Sequence, residues 1–163
     1  MEKKDIRSAV ITISDRCSSG LMEDRSGPVL MELFEKAGFP TPSYTLIPDG
    51  YEGIRQSLIK LSDEGMNLII TTGGTGFSER DLTPEATLSV IERNAPGIAE
   101  AVRAGSLIRT KRAMLSRGVS GIRGKTLIIN FPGSVSACID AFEIIEDQIV
   151  HAAGLLAGVK MDK

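Results

Sequence analysis

The sequence contains no tryptophan and a single histidine, His151, among its 163 residues. Two tyrosines and five phenylalanines are its other aromatic residues, so stacking platforms for single-stranded bases are not expected. One histidine excludes a histidine-rich metal site and any mechanism that needs two histidines. Catalysis by this chain would therefore use carboxylates, hydroxyls, backbone amides, basic side chains or a bound metal ion.

An excess of positive charge is also missing. Nineteen Lys and Arg residues against 21 Asp and Glu give a formal net charge of −2, whereas sequence-independent binding to nucleic acid needs a basic excess. We therefore expect no nucleic-acid partner. The two cysteines, Cys17 and Cys138, lie far apart and form no C-x-x-C motif, which argues against a disulfide framework or a zinc site and favours a reduced, cytoplasmic protein.

Long apolar runs are absent, so the sequence predicts no membrane-spanning segment. Its first residues are charged and lack the apolar region of a secretory signal peptide, and we expect none. The length favours one domain, residues 1–163, which can bury a core of its own.

What the sequence does contain is a regular alternation of strand and helix patterns. Strands are predicted over residues 7–13 and 67–72, within "SYTLIP", and at the start of "KTLIINFPGS". Helices are predicted in "SGPVLMELFEKAGFP" and "DGYEGIRQSLIKLSDEG", from Thr83, after Pro96, and from Ser134 to about Leu156. This alternation predicts a three-layer α/β domain, with a mostly parallel sheet and helices on both faces.

Four polar turns follow predicted strands: "SDRCSSG", "PDG", "GGTG" and "FPGS". In open parallel sheets, ligands bind beyond the carboxyl ends of the strands. We therefore expect the four turns to form a pocket at one edge of the sheet.

The "GGTG" turn, residues 73–76, fits neither of two familiar phosphate motifs. A dinucleotide fingerprint needs a third glycine where Glu79 stands, and no G-K-[ST] follows the turn. The "GKT" at 124–126 is not a P-loop, because Val119 stands where that motif needs its first glycine and a strand follows where it needs a helix. We therefore predict a tight turn between strands there. The "GGTG" turn itself has two interpretations: a sharp strand-to-helix turn, or a loop whose amides bind a phosphate.

Two acids weigh on that choice. Asp49 lies in an Asp-Gly turn and Asp81 lies just before the helix start at Thr83-Pro84-Glu85, where Thr83 is the predicted hydroxyl cap. As carboxylates at neighbouring strand ends, beside a loop of phosphate size, they predict Mg²⁺ held through one or two acids and substrate phosphates. The residues alone thus indicate an enzyme of nucleotide or phosphate chemistry.

Three stretches resemble the signature of the molybdopterin-binding proteins of the MogA/MoaB family and of the N-terminal domain of gephyrin. They are "VITISDRCSSGLMEDRSGP", "TTGGTGFSERDLTPEAT" and "MLSRGVSGIRGKTLIINFPGS". The resemblance covers about residues 5–158. The first and last stretches are closer to gephyrin and MogA than to MoaB, which favours adenylyltransferase activity.

This resemblance implies an enzyme that uses Mg²⁺ and ATP to transfer AMP to the terminal phosphate of molybdopterin, with release of pyrophosphate. It also implies a homotrimer and, as a partner, a molybdenum-insertion protein. The alternative is a MoaB-like carrier that binds molybdopterin without adenylating it. A scaffolding role, by analogy with gephyrin, would rest on the fold alone.

The resemblance also assigns site residues by position. Asp49 and Asp81 match two functional acids of the family, which makes them the predicted catalytic and Mg²⁺-binding residues. The other matches are predicted to bind substrate and lie in three turns: Ser14, Asp15, Gly73, Gly74, Thr75, Gly76, Pro132, Gly133 and Ser134.

Basic residues crowd the stretch 109–125: Arg109, Lys111, Arg112, Arg117, Arg123 and Lys125. They form either a solvated face or a cationic rim that steers a charged substrate. Arg80 pairs either with an acidic group or with water. His151 is interpreted as a packed or surface residue, and Cys138 as part of the core.

Overall fold

A six-stranded sheet runs through the part of the chain that the computed structural model describes, residues 1–159. The strands are β1 (Ser8–Ile13), β2 (Ser43–Ile47), β3 (Leu68–Thr72), β4 (Arg93–Asn94), β5 (Ser120–Arg123) and β6 (Thr126–Phe131). Their order across the sheet is β2-β1-β3-β6-β5-β4. The strands β2, β1, β3 and β6 are parallel, whereas β5 and β4 extend the sheet in antiparallel fashion.

Six α-helices connect and cover these strands within the described residues. They are α1 (Asp15–Ser18), α2 (Ser26–Lys36), α3 (Tyr51–Asp63), α4 (Thr83–Leu88), α5 (Pro96–Leu107) and α6 (Val135–Ala157). Single 3₁₀ turns cover Lys3–Asp5 and Lys111–Leu115. None of the described helices is both long enough and apolar enough to cross a lipid bilayer.

The helices divide between the two faces of the sheet because strand side chains alternate in direction. Val10, Ile70 and Ile129 enter a core with Phe34 of α2 and Phe142 of α6.

On the other face, Ile11, Ile69 and Ile128 pack with Ile54 of α3 and Ala86 of α4. The central strands β1, β3 and β6 are buried along their whole length. The predicted three-layer α/β architecture is therefore confirmed. The last residues of the predicted domain, 160–163, lie outside the described part of the chain.

The predicted "GKT" turn is confirmed, because Gly124 and Lys125 connect β5 to β6 and Gly124 has φ +56°. The strands β4 and β5 were not among the strands located by pattern. Both are short, and β5 contains a glycine, so neither shows the apolar run that marks β3 or β6.

Two local predictions are wrong. Thr83 is not the cap of α4: Leu82 occupies that position, and the Thr83 hydroxyl donates to the carbonyl of Gly73 at 3.0 Å. The acids Asp49 and Asp81 do not follow neighbouring strands, since β1 lies between β2 and β3. Strand order is set by tertiary packing, which chain order does not reveal.

Candidate active site

The carboxyl ends of β1, β2, β3 and β6 meet at one edge of the sheet, which places all four predicted turns together. Hydrogen bonds join the turns that follow β3 and β6 directly. Thr72 Oγ1 donates to the carbonyl of Pro132 at 2.8 Å, and the Gly73 amide donates to the carbonyl of Phe131 at 3.3 Å. The turns after β3 and β6 therefore form one continuous surface.

The glycine loop, residues 73–76, needs its glycines for space and for backbone conformation. Gly73 and Gly74 have φ of +98° and +65°, where a side chain is strained. A Cβ atom on Gly73 would lie 2.2 Å from the carbonyl oxygen of Ile13, at the end of β1. On Gly74 it would lie 2.3 Å from Thr83 Oγ1. The loop is thus wedged between β1 and α4.

A cavity of about 760 Å³ opens beside this loop. The glycine loop, the turn at residues 132–134 and Asp81 form part of its wall. The opposite part comes from α5, the segment after it and the start of α6. Its polar residues there are Arg103, Ser106, Arg109, Thr110, Arg112, Ser116, Ser136 and Asp140.

The turn at 132–134 leads into the N-terminus of α6, a helix of 23 residues. Ser134 caps this helix by accepting a hydrogen bond from the amide of Ala137 at 3.3 Å. Ser134, Ser136 and Ala137 all line the cavity. The partial positive charge of a helix N-terminus therefore faces the space in which an anion would bind.

The predicted residues of the first two turns, Ser14, Asp15 and Asp49, lie beside this cavity and not in its lining. Asp15 and Asp49 are joined by two reciprocal bonds: the Asp15 amide donates to Asp49 Oδ2 at 2.8 Å, and the Asp49 amide donates to Asp15 Oδ1 at 3.1 Å. Ser14 caps the short helix α1 by accepting from the Cys17 amide at 3.1 Å. Ser14 thus has a structural role in this arrangement.

Of the two interpretations of Arg80, pairing with an acidic group or with water, the structure shows the first: its guanidinium pairs with a carboxylate. It bonds both oxygens of Asp15, at 2.5 and 3.0 Å, and the carbonyl of Asp49 at 2.6 Å. The hydrogen bond from Arg80 lowers the pKa of Asp15 below its ordinary value. Asp15 is consequently a carboxylate at neutral pH.

Asp49 is in a different electrostatic environment. Its pKa is raised, first by burial and then by the carboxylates of Asp15 and Asp81, although the Asp15 amide partly offsets this. Asp49 Oδ1 lies 3.2 Å from the position of a Cβ atom on Gly74. This half-buried acid therefore lies directly behind the glycine loop and would gain from a nearby cation.

Asp81 is held by a tight turn of its own. Its Oδ2 accepts from the Ser78 amide at 2.9 Å, while its amide donates to the Ser78 carbonyl at 3.0 Å. The same oxygen would lie 2.9 Å from a Cβ atom on Gly76. The structure thus brings Asp81 against the glycine loop and leaves Oδ1 without a hydrogen bond to any described residue.

The donor set fits Mg²⁺ held jointly with a substrate. No group of three or more His, Cys, Asp or Glu side chains in residues 1–159 could enclose a metal by itself. Mg²⁺ needs no such cage, since it binds through one or two carboxylates and completes its shell with water and substrate phosphates. Asp49 and Asp81, on either side of the glycine loop, are the residues that would hold it.

Some basic residues of the stretch 109–125 line the cavity and others are exposed to solvent, so neither interpretation, a solvated face or a cationic rim, holds for the whole stretch. Arg109 and Arg112 line the cavity, and Arg109 is fixed by Asp140 at 2.7 Å. Lys111 and Lys125 are exposed. Arg117 and Arg123 bond carbonyls and acids of other segments. A charge pattern in the sequence gives no sign of these separate environments.

Sequence reasoning missed Arg103 and named Arg117 only as one of the basic residues in the stretch 109–125. Arg103 of α5 lines the cavity and donates to the carbonyl of Gly118 at 2.6 Å. Arg117 contacts both ends of the segment between the glycine loop and Asp81. The carbonyls of Gly118 and Gly76 that these arginines bond lie 15 and 41 residues away in the chain. No local motif therefore predicts these contacts. Of the remaining side chains, His151 is exposed and Cys138 is fully buried, as predicted.

The fold and the site together define an α/β protein with a glycine loop, a helix N-terminus and two acids at the carboxyl edge of its sheet. Residues 9–151 match the family described as "Probable molybdopterin binding domain". The chain belongs to this family, and the resemblance drawn from its motifs is confirmed.

Relatives of similar length carry a specific name. The molybdopterin adenylyltransferase of Escherichia coli (strain K12) is 41% identical over 94% of this chain and 82% of its own length. That of Helicobacter pylori (strain 26695) is 38% identical over 94% of this chain and 89% of its own length. Other relatives are longer: the chain spans 26% of the molybdenum cofactor synthesis protein cinnamon of Drosophila melanogaster, at 40% identity.

A solved structure agrees with the fold. The molybdopterin biosynthesis enzyme MoaB of Thermus thermophilus superimposes with a TM-score of 0.89 at 38% identity, over 96% of this chain and 99% of that one. This likeness confirms the α/β architecture at the level of the whole described chain.

Proposed function

We propose that this protein is a molybdopterin adenylyltransferase of molybdenum cofactor biosynthesis. An oxygen of the terminal phosphate of molybdopterin attacks the α-phosphorus of ATP. The bond from that phosphorus to the oxygen bridging the β-phosphate breaks, so AMP is transferred and pyrophosphate leaves. The observation that carries the proposal is the placement of Asp81 in the wall of a cavity that also contains the glycine loop and the N-terminus of α6.

The residues of the cavity supply what such a transfer needs, which is mostly positioning and neutralisation of charge. Amides of the glycine loop and of the α6 N-terminus donate to phosphate oxygens. Arg112 adds positive charge on the opposite wall, where Arg109 is paired with Asp140. Mg²⁺, held by Asp49 and Asp81, would neutralise the triphosphate and make pyrophosphate a better leaving group.

The same proposal covers the localisation, the oligomeric state and the partners of the enzyme. Residues 1–163 act as a single domain in the cytoplasm and assemble as a homotrimer. A molybdenum-insertion protein receives the adenylated product, while ATP and molybdopterin are the substrates. The relatives named molybdopterin adenylyltransferase, which match most of this chain, support the substrate assignment.

Pyrophosphate release in the presence of ATP, Mg²⁺ and molybdopterin tests the activity. The wild type should release pyrophosphate, and Asp81→Asn and Asp49→Asn should each lose about 10²–10³-fold of the rate, the typical cost of removing one positioned electrostatic group. Asp63→Asn is the matched control, since Asp63 pairs with Arg123 at 3.7 Å, away from the cavity. Normal turnover by Asp81→Asn would refute its role in organising the metal.

The carrier function is the competing candidate, because a protein named MoaB superimposes on this chain with a TM-score of 0.89 and one named MogA with 0.87, so the fold does not separate the two. It predicts tight binding of molybdopterin with no pyrophosphate release by the wild type. A binding titration with molybdopterin, run beside the pyrophosphate assay, separates the two functions. For Asp49→Asn, a defect confined to pterin affinity would make Asp49 a binding residue and not a catalytic one.

A further inference from the structure

We infer that Arg117 positions Asp81 for the reaction by clamping the loop that carries it. The clamped loop, residues 76–81, runs from the last glycine of the glycine loop to the acid. Arg117 Nε donates to the carbonyl of Gly76 at 2.7 Å, and Nη2 donates to the carbonyl of Asp81 at 2.5 Å. One guanidinium thus bonds the first and last residues of the clamped loop.

The guanidinium is itself fixed from two directions. Nη1 donates to Glu85 Oε1, and Nη2 donates to Glu85 Oε2 at 3.4 Å. The carboxylate of Glu85, at the start of α4, thus accepts from both terminal nitrogens of the guanidinium. The Arg117 amide donates to the carbonyl of Thr75 at 2.9 Å. The hydrogen bond from the Arg117 guanidinium lowers the pKa of Glu85 and keeps it ionised at neutral pH.

Apart from Arg117, one side chain of the clamped loop anchors it to another segment: Arg80, which bonds Asp15 and the carbonyl of Asp49. Ser78 and Asp81 close a turn within it, but Phe77 projects into solvent with 70% of its surface exposed, and Ser78, Glu79 and Arg80 are also exposed. Since buried apolar contacts are scarce there, and Arg80 bonds neither end of the loop, the two carbonyl bonds from Arg117 fix the position of Asp81 relative to Gly76.

Only arginine can make this clamp. Its planar fork presents donors in fixed directions, whereas a lysine carries one ammonium group that cannot span the carbonyls of Gly76 and Asp81 while meeting Glu85. Arg117 is not among the residues that line the cavity beside the glycine loop. We therefore assign it as a positioning residue that acts through Asp81. The consequence for catalysis rests on the proposed adenylyl transfer, whereas the clamp itself rests on geometry.

The test compares Arg117→Lys with Arg123→Lys. Arg123 is a matched control because it also bonds a backbone carbonyl, that of Val90 at 3.2 Å, and an acid, Asp63, away from the cavity. In Arg117→Lys, amide hydrogen exchange at Ser78 and Asp81 should rise about tenfold or more, and kcat for AMP transfer should fall about 10–100-fold, as for lost outer partners of metal ligands. KM for molybdopterin should stay within about twofold. Arg123→Lys should change neither the exchange nor kcat.

Each outcome decides a separate point. Unchanged exchange in residues 76–81 overturns the clamp, and faster exchange with unchanged kcat overturns the positioning role. If the wild type releases no pyrophosphate, the proposed activity fails, while the exchange data still decide on the clamp. Should Arg117→Lys fail to fold, Glu85→Gln removes the ion pair that fixes the Arg117 guanidinium. It should raise the exchange and lower kcat, each by less than Arg117→Lys.

Discussion

Replacing Gly73 by alanine tests whether the glycine loop is wedged against β1 as the structure indicates. The added Cβ atom would lie 2.2 Å from the carbonyl oxygen of Ile13, although contacts under 3.0 Å are essentially never seen for real Cβ atoms. That oxygen belongs to the backbone of a buried central strand, so it cannot rotate away as a side chain could. The strand ends would have to move apart.

Three contributions set the size of the effect. The left-handed backbone at φ +98° costs an alanine roughly 1–2 kcal/mol. Forcing the extra carbon into a packed site costs about 1–3 kcal/mol more. The reduced freedom of the unfolded chain returns about 0.4–1 kcal/mol. We therefore expect Gly73→Ala to lower the free energy of unfolding by about 3 kcal/mol.

Gly20→Ala separates strain from collision. Gly20 has φ +80°, close to that of Gly73, but nothing lies within 4 Å of its added Cβ atom. Its cost should be limited to strain less the unfolded-state gain, about 0.5–1 kcal/mol. Urea unfolding of the two variants and the wild type measures both values. If Gly73→Ala were no less stable than Gly20→Ala, the close approach of the loop to Ile13 would be wrong.

Two further predictions concern titrating groups. Burial and the hydrogen bond to Asp24 raise the pKa of Tyr44 to about 12, so the folded state holds this proton more tightly than the unfolded state. The stability contribution of Tyr44 should be complete below pH 10 and disappear as the pH rises towards 12. Urea unfolding across this range should therefore show a shallower decline in Tyr44→Phe, and an equal decline would refute it. Burial likewise raises the pKa of the Cys138 thiol to about 11, so in a Cys17→Ser background Cys138 should resist iodoacetamide at pH 8 until urea unfolds the protein. Rapid alkylation of the folded variant would contradict its burial.

Sequence patterns located the principal elements because those elements depend on local properties. The apolar runs of β1, β3 and β6 are buried on both faces, which is why they stand out as short unbroken stretches. The two-residue strand β4 has no such run. The hydroxyl of Thr83 followed the pattern of a helix cap, but a neighbouring loop supplied a carbonyl for it.

The candidate site was predictable where it consists of turns and not where it consists of long-range pairs. Parallel strands align their carboxyl ends, so the glycine loop and the turn at 132–134 had to meet at one edge. Which turns share a cavity depends on strand order: β1 lies between β2 and β3, which places Asp49 beside Asp15. The pairing of Arg80 with Asp15 depends on the same placement.

The sequence by itself determined the alternation of strands and helices, the positions of the glycine turns and the family to which the chain belongs. These features reside in short segments, where side-chain period and backbone freedom act over a few residues. Only the tertiary structure decided that Arg117, 36 residues from Asp81, holds the loop of that acid, and that Asp49 lies behind Gly74. Such contacts come from the closure of the sheet and its helices around one core, and no local property of the chain encodes the distances they require.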